Sequence, residues 1–442
     1  MMMGISLVYP LPMSDRFALF QEAYRNLDLL PLLDRQDLER FRVKYREDVI
    51  EELQQLVEDD DTQSGKTIFS GHRGCGKSTL LAEFGRQCRE RNFFVVFFSI
   101  ADLFESPDVT HTNILYAIAV SLIAEAEREG VELSKQLKEP LYRWFTTRTR
   151  IETDTPINAS LSAGFDFKFI QGILKSEANI REEIRQEFEP KISDLVARIN
   201  IIAAQIQVST KKRVLVIIDD LDKIDLGDVE KIFKNHIKAL FLPGFRIIYT
   251  IPVSSLREAS LRAVLVSESN DQIVVMPVSK LFSRGERRKD HPVPIDEAVH
   301  TLCEILQKRI SAELIEPDLV TQIVLYSGGV LRELIRISNI CCRLCLREIR
   351  RNPNQTVMID QTILVEAIKK MRLDFEQSLS KADYEILKNT YDRFMPDDPK
   401  AQEFLDLLHG LHVLEYRNGD IWYDLHPIVI DLLKLKGLVN AT

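Results

Sequence analysis

The sequence predicts an α/β fold: a parallel sheet with helices on its faces, followed by a helical stretch and a small C-terminal domain containing a hairpin. Three observations carry this. First, the apolar run 67–69 leads at once into Gly71-His-Arg-Gly-Cys-Gly76-Lys77-Ser78-Thr79. Residues 78–88 then continue with helical periodicity, Leu80, Leu81 and Phe84 falling on one side. Second, other apolar runs of strand length end in polar or acidic residues, as where 214–218 meets Asp219 and Asp220. Third, the chain is helical from Ile295 onward until Arg417-Asn418-Gly419-Asp420 supplies the Asn-Gly signal of a hairpin.

A chain of 442 residues has room for about three domains. With 45% hydrophobic and 28% charged residues it has an ordinary globular composition. A formal charge of −9 gives no global attraction to nucleic acid or an anionic membrane, so such contacts would have to be local. The apolar run 114–124 falls short of the roughly 20 residues a membrane span needs and is followed by Glu125 and Glu127, so it reads as a buried helix. The first residues, MMMGISLVYPLP, carry no basic residue before Arg16 and no glycine at position 2, so neither a secretory signal nor myristoylation is expected. A cytoplasmic location is the expectation. Cys341, Cys342 and Cys345 lie in a helical stretch without a second pair at zinc spacing and read as core residues.

Taken in order, residues 14–60 read as helices and 59–65 as an acidic turn before the 67–69 strand. The run 93–102, rich in Phe and Val, reads as a central parallel strand closed by Asp102. In 159–170, Leu161, Ala163, Phe165, Phe167 and Phe169 alternate with polar residues, which predicts a half-buried strand or hairpin arm. From 177 to 207 the isoleucines recur at three- and four-residue spacing, which predicts one long amphipathic helix kinked at Pro190. Residues 150–210 thus form an insertion, suited to a partner or neighbour contact. Strands follow at 214–218, at 245–250 ending in Thr250, and at 272–276, with Arg257 and Arg262 on the helix between the last two. The basic loop 284–289 reads as solvated. Gly328-Gly329 opens a helix with Arg332 in its first turn, and Arg336, Arg343, Arg347 and Arg350 recur near one face of it.

The 71–79 stretch is suited to a phosphate. Its glycines let successive N–H groups point inward at an anion, and the helix that starts there adds roughly half a positive charge. Gly71, His72, Arg73, Gly74, Cys75, Gly76, Lys77, Ser78 and Thr79 would form the cradle. Lys77 would reach the β- and γ-phosphates, and the Ser78 hydroxyl would complete a Mg2+ shell.

On these residues the chain resembles AAA+/STAND-type P-loop ATPases, and most nearly those with an ATPase core, a helical lid and a C-terminal winged helix. Replication-initiator ATPases and bacterial signalling or antiphage-defence ATPases are of this kind. The Walker A match at 71–78 is highly specific. The resemblance covers roughly 40–440, outside the insertion. It implies an N-terminal helical segment at 1–40, a P-loop core at 41–292, a lid at 293–372 and a winged-helix-like domain at 373–442. It also implies ATP and Mg2+ as ligands. Asp219 would hold the metal through water, Asp220 would orient or deprotonate the attacking water, and Thr250 would be the sensor at its strand's end. Arg332 would touch the γ-phosphate, and Arg257 or Arg262 would be the arginine finger given to a neighbour. No Asn-Lys-x-Asp motif is present, which favours ATP over GTP.

The expected function is an ATP-binding and hydrolysing switch that forms a homo-oligomer and controls a protein effector in bacterial defence or signalling, with no membrane role. A DNA-loading, replication-initiator or transposition-helper ATPase is the alternative. It is disfavoured by residues 373–442, where seven Lys and Arg face thirteen Asp and Glu. A non-hydrolysing, ATP-gated scaffold is the third reading, motivated by Asp instead of Glu at position 220.

Overall fold

The computed structural model describes residues 13–59, 64–134 and 167–440. They gather into two compact units. One comprises residues 46–73 and 77–276. The other holds the described residues up to Tyr45, the loop tip Gly74–Gly76, and the chain from Pro277 onward.

The first unit is built on five parallel strands: β1 (Lys66–Gly71), β2 (Phe93–Ser99), β3 (Arg213–Asp219), β4 (Arg246–Pro252) and β5 (Ile273–Met276). Their spatial order is β2-β3-β4-β1-β5. The middle of β3, 214–218, is buried throughout, as expected of a strand covered on both faces. The His111–Arg128 helix packs on the sheet with Ile114, Leu115, Ile118, Leu122 and Ile123 buried. No helix among the described residues is long and apolar enough to cross a membrane.

Register decides which strand ends meet. Ser99 at the end of β2 lies beside Asp219 at the end of β3, and Gly71 at the end of β1 lies beside Pro252 at the end of β4. The glycine loop, the two acids and Thr250 therefore share the C-terminal edge of the sheet, where open α/β sheets bind ligands.

The insertion departs from its expected form. Residues 167–176 are a helix (Phe167–Ser176) and not a strand, while 159–166 lie outside the described residues. Ile170 and Leu174, one helical turn apart, are buried. The Arg181 guanidinium donates to the carbonyls of Leu174 and Lys175 at 2.9 and 2.8 Å, closing the helix's C-terminal end, and pairs with Asp108 at 2.6 Å. That tertiary cap outweighs the two-residue alternation. The long helix is also two, Ala178–Phe188 and Ile192–Thr210, separated by a 3-10 turn that contains Pro190. Proline removes an N–H from the ladder, so the helix breaks at that point and does not merely kink.

In the second unit the Leu331–Arg351 helix packs against the Met13–Asn26 helix, and Cys341, Cys342 and Cys345 are fully buried in it as core residues. The chain ends in helices Lys381–Arg393 and Gln402–His409, an antiparallel hairpin β6 (Val413–Asn418) and β7 (Asp420–Leu425), and helix Pro427–Leu435. The basic loop is not simply solvated. Arg288 pairs with Asp424 at 2.8 Å and lies over the rings of Phe394 and Tyr391 at 3.6 and 3.9 Å.

The Gly328-Gly329 turn is required where it stands. Both residues have positive φ, and a Cβ on Gly329 would lie 1.9 Å from the Ser279 carbonyl oxygen. Gly329→Ala is expected to destabilise this unit by more than about 2 kcal/mol, combining left-handed strain with a backbone clash. Thermal unfolding against wild type measures it.

Candidate nucleotide site

The site is assembled on strand ends. Gly74 and Gly76 take φ of 80° and 101°, conformations that suit glycine, and the Lys77–Glu90 helix begins immediately after them. Ser78 and Thr79 follow Lys77 in its first turn, while His72 and Cys75 are buried and Arg73 is exposed. Within the second unit, the Arg332 amide donates to the Gly74 carbonyl at 2.9 Å, and a Cβ on Gly74 would meet the Arg332 Cβ at 2.6 Å. Glycine at 74 is therefore needed for this close approach as well as for its φ.

Lys77 is 4% exposed. Its Nζ donates to the carbonyls of Gly71 and His72 at 2.9 and 2.7 Å and pairs with Asp222 at 2.8 Å. Asp222 had no role in the sequence reading, although it stands three residues after Asp219 in Asp219-Asp220-Leu221-Asp222. The 3-10 turn Leu221–Lys223 after β3 brings it back over the strand end. Carboxylate oxygens of Asp219, Asp220 and Asp222 all lie within 4.8 Å of one another.

Asp219 is buried and accepts a hydrogen bond from Ser78, yet its Oδ1 has no hydrogen-bond partner among the described residues. Burial pushes its carboxyl up to about 7, and the negative neighbours Asp220 and Asp222 push in the same direction. Three clustered carboxylates, a serine hydroxyl and an orphaned carboxylate oxygen make an all-oxygen donor set that suits Mg2+. Asp219, Asp220, Asp222 and Ser78 are the residues that could hold it.

Asp220 stands in the left-handed region at φ 67°, where Asp is one of the few residues tolerated. Ser99 donates to its Oδ2 at 2.6 Å, and Lys223 pairs with its Oδ1 at 2.5 Å. Neither residue was named as a site residue from the sequence. The legible signal was a hydroxyl near the end of the β2 run, which the sequence reading carried on to Asp102; β2 ends at Ser99, and Asp102 belongs to a 3-10 turn. Thr250 is fully buried. Its hydroxyl donates to the Ile218 carbonyl at 3.2 Å and accepts from the Leu221 amide at 3.1 Å. In this structure it braces the acidic turn. Arg257 ends the 3-10 turn after β4, and Arg262 is exposed on the Ala259–Glu268 helix.

Residues 42–233 match the family model described as AAA ATPase domain. The chain has an α/β P-loop NTPase fold. This match spans the glycine loop and the whole acidic turn. No curated protein matches the chain. Among solved structures the chain is similar to Aeropyrum pernix ORC1 in complex with DNA, at 12% identity over 93% of this chain and 96% of that one, with a TM-score of 0.41. Aeropyrum pernix ORC2 in ADPNP-ADP complexes matches at 12% over 94% and 98%, TM-score 0.41. A Thermotoga maritima RuvB variant matches at 13% over 92% and 99%, TM-score 0.39.

The raised Asp219 carboxyl fixes the sign of a pH dependence. A carboxyl raised in the folded state contributes stability that is fully present below its unfolded value, near 3.8, and lost as pH rises through about 7. In EDTA and without nucleotide, Asp219→Asn should therefore melt higher than wild type at pH 8, with the gap narrowing as the pH falls through about 7 and closing only near the unfolded value of 3.8. Equal melting temperatures at pH 8 would contradict the assignment.

Proposed function

We propose that this chain is an ATP-binding and hydrolysing switch that assembles with copies of itself and controls a protein effector, a role suited to bacterial defence or signalling. The observation that carries the nucleotide part is the buried Lys77 ammonium, at the end of a glycine loop, facing three clustered carboxylates across the edge of a parallel sheet. The loop amides would hold the phosphates and Lys77 would neutralise the β,γ-oxygens. Asp220 would orient or deprotonate the attacking water. Bound Mg2+, held by Ser78 and the acids, would supply charge neutralisation at the phosphates.

The candidate arginines are what support assembly in this reading. Arg257 and Arg262 follow β4 and would serve a neighbour's site, and a finger in trans is worth about 10^3 to 10^5 in rate. Slow turnover by an isolated chain is expected. The experiment is the solution mass of Asp220→Asn with and without ATP, the substitution blocking turnover. Growth in mass with ATP supports the switch, and an unchanged mass removes the assembly part.

A second reading, an ATP-gated scaffold that does not hydrolyse, draws on Asp220 being held by both Ser99 and Lys223. Single-turnover cleavage of ATP by the assembled protein would exclude it. The DNA-loading reading draws on no contact of this kind, and residues 373–442 carry a net charge of −6. Salt-sensitive binding to duplex DNA would bring it back.

A further inference from the structure

We propose that Asp222 makes binding of a nucleoside triphosphate conditional on a divalent cation, an inference that rests on the ATP reading of the same site. A lysine ammonium has three N–H groups and no acceptor. The Lys77 ammonium donates to the Gly71 and His72 carbonyls at 2.9 and 2.7 Å and forms an ion pair with Asp222 Oδ2 at 2.8 Å. A phosphate oxygen that approaches Lys77 competes with these partners for its charge. The two carbonyls are neutral and belong to the backbone at the end of β1. Asp222 is the anion, and it is the group with which a phosphate competes for the same charge.

Displacement leaves a problem behind. The side chains of Lys77 and Asp222 are 4% and 5% exposed, so a deserted Asp222 cannot turn to water. It would stand unpaired beside Asp219 and Asp220, with oxygens of all three within 4.8 Å. A buried carboxylate stripped of its cation is strongly unfavourable. A second, independent feature points the same way: Asp219 Oδ1 is buried and has no hydrogen-bond partner among the described residues even while Lys77 is in place. A divalent cation entering this all-oxygen cluster replaces the charge that Lys77 carries off to the phosphates. The triphosphate thus removes a cation from the acids and the metal restores one, so each ligand strengthens the other by the same factor.

The test measures binding, not turnover. A fluorescent N-methylanthraniloyl ATP is titrated into wild type and Asp222→Asn, in EDTA and in Mg2+. Wild type is expected to bind about 100-fold more weakly in EDTA than in Mg2+, the scale set by a buried carboxylate losing its partner. In D222N the difference is expected to shrink to about 5-fold, because a neutral amide holds Lys77 less firmly and needs no cation when Lys77 leaves. Most of that change should appear as tighter binding in EDTA. A wild-type difference below about 5-fold, or a D222N difference equal to that of wild type, would overturn the inference. Failure of wild type to bind in Mg2+ would instead overturn the ATP reading itself. Should D222N not fold, Asp222→Ser makes the same comparison, with the same outcomes counting for and against.

Discussion

Replacing Lys77 by alanine is expected to abolish ATP turnover and to destabilise the nucleotide-free protein by about 3–5 kcal/mol, because Asp222 is left buried without its cation. The two effects have separate causes. Turnover fails because no ammonium remains to meet the phosphates. Stability falls because an uncompensated carboxylate stays beside Asp219 and Asp220, which already repel it. A double-mutant cycle separates them. Adding Asp222→Asn to Lys77→Ala should recover most of the lost stability and none of the turnover, since the second substitution removes the orphaned charge. Unfolding of the four proteins, followed by phosphate release from each, reads both quantities. If Lys77→Ala alone melted like wild type, the ion pair would not hold the role given to it.

Asp220→Asn is expected to lower the rate of ATP cleavage by about 10^2 to 10^4, the range that a positioned general base contributes, while leaving nucleotide binding close to wild type. Asparagine is nearly isosteric and its oxygen can still accept from Ser99, so the turn after β3 should keep its shape. It loses the charge that pairs with Lys223 and that would orient the water. A rate loss with affinity intact assigns Asp220 to the chemical step. Parallel loss of both would assign it to holding the nucleotide or its metal.

Much of this architecture was legible because its signals are local. The 67–69 run, the Gly71-x4-Gly76-Lys77-Ser78 spacing and the apolar run before Asp219 each state their own geometry in a few residues, and a parallel sheet puts their ends together. The side chains that set the condition of the site were harder to find. Asp222 pairs with Lys77 only because the chain turns back tightly after Asp220, with that residue in the left-handed region. Ser99 reaches Asp220 because β2 and β3 run in a register that no spacing along the sequence reports. Thr250 is expected at a strand end, but β4 continues to Pro252, so Thr250 lies two residues inside the strand and its hydroxyl faces the backbone of the acidic turn. The helix at Phe167–Ser176 shows the opposite failure: its cap comes from Arg181, and a periodicity read along the chain cannot see it.

The most direct measurement is phosphate release from ATP and Mg2+ by wild type, Lys77→Ala and Asp220→Asn at equal concentration. The account predicts turnover by wild type, rising with protein concentration as copies assemble, and its loss in both variants. Lys77→Ala hydrolysing ATP at the wild-type rate would contradict it.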